Sequence, residues 1–122
     1  MTGPKYTITN TTPTRDSSRS VPVLDCDQWS GVGVLCCPHC GNANLHQSRA
    51  EVFFRSEDCE QGIYAGISGE AEMCMTQSSQ KGNPSPRRDG IRVWFTCEHC
   101  PKHSSLAIIQ HKGDTQVYWE VK

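Results

Sequence analysis

Two cysteine pairs with one short spacing, Cys37-Pro38-His39-Cys40 and Cys97-Glu98-His99-Cys100, are the residues of this chain best suited to chemistry. Two intervening residues let a tight turn aim both thiolates at one point while the amides of the turn soften the sulfur charge. Two such turns supply the tetrahedral sulfur set that Zn²⁺ accepts, at Zn–S distances of about 2.3 Å. The expectation is one structural zinc ion held by Cys37, Cys40, Cys97 and Cys100. Gly41 can take the positive φ that closes the first turn. Cys36 and His103 are alternative ligands by position; otherwise they read as a buried thiol and a solvated loop residue.

Competing uses of the same residues are weaker. A redox C-x-x-C sits at the start of a helix after a parallel strand, and no βαβ pattern occurs here, so a thiol-redox protein is the least favoured class. A disulfide framework among the eight cysteines belongs to secreted chains; with no basic start followed by an apolar stretch, the chain is expected to be cytoplasmic. Cys26, Cys59 and Cys74 follow no ligand spacing and read as small core hydrophobes or free thiols. Zinc ribbons commonly place about 15–20 residues between their pairs, whereas Gly41 to Thr96 supplies 56. An insertion must therefore lie between knuckles that still meet.

The second candidate site is electrostatic. Lys81, Arg87 and Arg88, with Arg92 just beyond, form the densest positive cluster, and His111 and Lys112 extend it if the fold brings them near. Arginine forks suit phosphate oxygens, so these six are the expected nucleic-acid contacts; the bland alternative is a solvated charged loop. Trp94, Phe95, Tyr118 and Trp119 would stack bases if exposed, although core packing is their ordinary use. A formal charge of −1 gives no global attraction to phosphate. The chain has no Walker-type loop and no His-Glu-x-x-His, four cysteines close the metal to a catalytic water, and Glu51, Glu57, Asp58, Glu60, Glu70 and Glu72 read as solvating charge. No enzyme, no small-molecule substrate and no membrane partner are expected.

The elements that must position these residues are strands. Residues 1–20 are rich in Thr, Ser, Pro and Arg and are expected to form a disordered arm. Residues 21–122 form the β domain: an extended lead-in over 21–35, a strand over 45–55, an irregular one over 63–75 and an exposed polar loop over 76–90. Strands over 91–96, 105–110 and 115–121 follow, the last two joined by a hairpin at Lys112-Gly113-Asp114. Alternation places Val117 and Trp119 on one face and Tyr118 on the other. The fold class is thus small and β-rich, a zinc ribbon with two knuckles on an antiparallel sheet.

The stretches Cys37-Pro38-His39-Cys40-Gly41, Gly82-Asn83-Pro84-Ser85-Pro86-Arg87-Arg88-Asp89-Gly90, Cys97-Glu98-His99-Cys100 and Ile109-Gln110-His111-Lys112-Gly113-Asp114-Thr115 resemble small zinc-ribbon proteins of actinobacteria and their phages. The resemblance covers residues 35–121. It implies a two-knuckle ribbon fold and carries no activity, substrate or partner. Nucleic acid, or an assembly that processes it, is the partner expected first; a protein partner, with the chain as a regulator of phage or host origin, is the alternative.

Overall fold

A computed structural model describes residues 18–27 and 30–121, with backbone alone at 26 and 27. The described residues form strands and no helix, so none offers a helix long and apolar enough to cross a membrane. Among the described residues nine strands occur in chain order: β1 Arg19–Ser20, β2 Leu24–Asp27, β3 Val32–Leu35, β4 Leu45–Phe54, β5 Gln61–Ser68, β6 Glu72–Ser79, β7 Gly90–Cys97, β8 His103–His111 and β9 Asp114–Glu120. Seven build one antiparallel sheet in the order β1-β9-β8-β7-β4-β5-β6, and β2 and β3 pair separately.

The direct pairing of β4 with β7 explains how an insertion of this length is tolerated. Leu45 lies opposite Cys97 at one end of this pair and Phe53 opposite Gly90 at the other. The intervening chain leaves and returns at the far end, where β5 and β6 simply widen the sheet. The strands run where β-branched and aromatic residues alternate with polar ones, as in Ile91-Arg92-Val93-Trp94-Phe95.

Several expectations are corrected here. The lead-in is a hairpin, turned near Gly31 at φ 74°. The irregular strand over 63–75 is two strands, because Gly69 and Glu70 turn the chain back and pair β5 with β6. The loop expected over 76–90 begins only after Ser79, and what remains is tied down rather than solvated, since Gln80 and Ser85 are buried. Arg19 and Ser20, assigned to the arm, pair with Glu120 and Trp119 of β9; the rest of the arm lies outside the described residues.

The registers separate two faces. On one, Trp119, Leu106 and Phe95 form the core, Phe95 meeting Trp119 edge-on with centroids 5.5 Å apart. Leu35 from β3 and Leu45 from β4 pack over them. The opposite face carries a polar ladder. There Arg92 bonds both oxygens of Glu120 at 2.6 and 2.9 Å, and Arg49 and Tyr64 converge on Glu51. Val117 and Trp119 do share a face, away from Tyr118.

Candidate metal centre

The first knuckle occupies the turn between β3 and β4, the second the turn between β7 and β8. Each closes in the same way: the amide of His39 donates to Cys37 Sγ at 3.4 Å, and that of His99 to Cys97 Sγ at the same distance. In the first turn Gly41 takes φ 80°, and its amide donates to the Cys37 carbonyl at 2.9 Å. The turns are held together by the β4–β7 pairing, by the Glu98 amide on the Asn44 carbonyl at 3.1 Å, and by a hydrogen bond between His46 and Glu98.

This brings the four sulfurs together, all within 4.8 Å of one another. Cys37 and Cys100 approach to 3.8 Å and Cys40 and Cys97 to 3.5 Å. A tetrahedron with metal–sulfur bonds of about 2.3 Å has edges of about 3.8 Å, so the set fits a single ion. The chain therefore presents a cysteine cluster able to hold a metal. Neither Cys36 nor His103 belongs to it: the Cys36 thiol faces the Val34 carbonyl, and His103, exposed, opens β8 opposite Thr96. Cys59 and Cys74 are exposed thiols elsewhere, and the Cys26 side chain lies outside the described residues.

Proton affinities within the cluster show what a cation would relieve. On Cys97 the His99 amide acts most strongly, and with the Cys40 and Cys100 sulfurs and the Cys100 amide it lowers the thiol to about 7 against burial. On Cys40 the Asn42 amide pulls down, yet burial and the sulfurs of Cys97, Cys37 and Cys100 together push the thiol up to about 12. Cys97 ionises readily, and Cys40 and Cys100 then hold their protons, as like charges in contact must.

The expected phosphate contacts are placed quite differently. Arg87 bonds Asp58 at 2.7 and 2.9 Å and Glu57 at 2.8 Å, and Arg88 shares Glu57 at 2.8 Å. Arg92, clamped to Glu120, also donates to the Gly82 carbonyl at 2.9 Å. His111 lies 3.8 Å from Asp114, while Lys81 and Lys112 are exposed and enter no ion pair among the described residues. Phe95 and Trp119 are buried. Trp94 has Arg49 and Arg92 against its ring, and Tyr118 has Arg19 over its face at 4.5 Å.

Sequence reasoning missed the organiser of the polar loop. Arg55, at the end of β4, donates to the carbonyls of Ser85 at 2.6 Å, Cys59 at 3.1 Å and Arg88 at 3.2 Å. Asn83 completes the frame, donating to the Arg88 carbonyl and accepting from the Ser85 amide, both at 2.8 Å. Ser85 Oγ donates to the Gln110 carbonyl at 3.1 Å, tying the polar loop to the end of β8. The signal available was Asn83 and Ser85 in a polar stretch and Arg55 far from them in the chain, too generic to read without the fold. Compared with family models, curated proteins and solved structures, the chain finds no match.

Proposed function

We propose that this chain is a non-enzymatic zinc module of the ribbon kind that works by binding another protein. One Zn²⁺ held by Cys37, Cys40, Cys97 and Cys100 fixes the two knuckles, and through the β4–β7 pair the sheet they terminate. The sulfur spacing supports the metal assignment. Zinc suits four thiolates in a tetrahedral arrangement, and its role is to neutralise charge that the sulfurs cannot carry together.

The choice of partner class rests on one observation. Arg87, Arg88 and Arg92 are all engaged by carboxylates of their own chain. A phosphate would have to displace Glu57, Asp58 and Glu120, and the electrostatic gain that drives nucleic-acid binding would be lost in the exchange. Fluorescence anisotropy with single- and double-stranded oligonucleotides tests this. The expected result at physiological salt is a dissociation constant no tighter than the about 10⁻⁴ M end of non-specific binding. Micromolar or tighter binding that falls steeply with salt and is abolished by Arg88→Ala would restore nucleic acid as the partner.

A further inference from the structure

At the end of the sheet away from the cysteine cluster, one arginine is unlike the others. Arg49, Arg87, Arg88 and Arg92 each bond a carboxylate. Arg55 bonds none among the described residues: its guanidinium donates to the carbonyls of Ser85, Cys59 and Arg88. Three neutral carbonyls fix the group in place and leave its charge without a counter-ion. A guanidinium carries five N–H donors, and with three in use two have no partner among those residues.

Arg55 lines a cavity of about 470 Å³ between the start of β5 and the polar loop, a volume within the range of ligand sites. Lys81 and Glu60 line it too, both exposed and neither in an ion pair among the described residues. Gln61, Ser79 and Gln80 add polar groups. The frame behind them is set: Gln80 and Ser85 are buried, and the Gln80 side chain donates to the Ile63 carbonyl and accepts from Asn83. With the donors already oriented, little ordering is left for binding to supply.

Charge selects the ligand. Arg55 and Lys81 against Glu60 leave one net positive charge on the lining, which a single carboxylate matches and a phosphate group of charge about −2 exceeds. Glu60 in turn requires a hydrogen-bond donor. The end of a peptide chain offers both, its carboxylate and the amide N–H of the same residue. We infer that this cavity takes the C-terminal carboxylate of the protein partner, held by Arg55 and Lys81, with the last amide N–H on Glu60. The inference rests on the protein-binding reading above and names the part of the partner that is gripped.

NMR titration of the zinc-loaded full chain tests it, following the Arg55 Nε–H, the Gln80 side-chain amide and the Lys81 backbone amide. The probes are acetyl-triglycine with a free C-terminus, the same peptide amidated, a glycyl-aspartyl-glycine capped at both ends, and inorganic phosphate. The expected result is saturable binding of the free C-terminus with a dissociation constant of about 1 mM, the scale for a ligand of this size. The other three probes should bind at least about tenfold more weakly. Arg55→Gln should abolish binding. Lys81→Gln removes no side-chain hydrogen bond of the frame and should weaken the free C-terminus about tenfold, so it decides the matter even where the Arg55 variant loses the loop. No saturation by about 20 mM would overturn the inference. So would equal or tighter binding of the amidated peptide, the aspartyl peptide or phosphate, or a Lys81→Gln chain that binds as wild type does. None of these outcomes touches the choice of protein over nucleic acid, which the oligonucleotide titration decides separately.

Discussion

Cys40, Cys97 and Cys100 sit where their neighbours control the proton. Because Cys97 is lowered to about 7 while Cys40 is raised to about 12, a divalent cation must displace protons from thiols that would otherwise keep them. Metal affinity should therefore fall as protons return to the sulfurs. A chelator competition run from about pH 8 to about pH 5 should show release of zinc on the acid side, with affinity dropping by more than tenfold per pH unit because several thiols titrate together. Loss no steeper than a single proton would indicate fewer thiolate ligands. Gly90 is a second point where one atom matters: a Cβ there would lie 2.2 Å from Asn83 Oδ1 and 3.1 Å from the Ser85 amide nitrogen. Gly90→Ala is expected to destabilise by about 1–3 kcal/mol through overpacking, and thermal unfolding checks it. The loss should shrink when combined with Asn83→Ala, which removes the clashing oxygen.

The ladder on the polar face makes the arginines unequal. The Arg92 side chain is 17% exposed and bonds a Glu120 that is 18% exposed, whereas Arg87 is 50% exposed. Arg92→Leu removes the cation clamped to Glu120 and leaves Glu51 with Arg49 alone, and should cost about 3 kcal/mol, while Arg87→Ala should cost less than about 1 kcal/mol. Chemical denaturation of both variants measures the difference; equal effects would contradict the structural role given to Arg92. These side chains also mark the limit of what was legible beforehand. The knuckles and the strands β7, β8 and β9 could be read from local spacing and period, because cysteine pairs and two-residue alternation are short-range signals. The carboxylate partners of Arg87, Arg88 and Arg92 lie 28 to 41 residues away in sequence, and only strand order brings them together. The β5–β6 turn was obscured because Gly66 and Gly69 both read as breaks, yet Gly66 stays within β5, where its lack of a side chain admits the Tyr64 hydroxyl and the Arg49 guanidinium.

At the scale of the molecule, the cysteine cluster and the sheet are one device. The knuckles terminate β4, β7 and β8, the strands that carry the core residues Phe95 and Leu106, so clamping four sulfurs also fixes the register of the sheet's centre. Chains of this size gain much from such a clamp, and removal of the metal should loosen the Phe95–Trp119 contact and change tryptophan fluorescence. Native mass spectrometry of protein purified without added metal, for wild type and for the Cys37→Ser, Cys97→Ser variant, tests the central claim most directly. The account predicts one zinc per chain in wild type and none in the variant, with the fold lost alongside the ion. A wild-type chain without metal, lighter by two hydrogens for each cysteine pair, would contradict it and assign these four residues to disulfides.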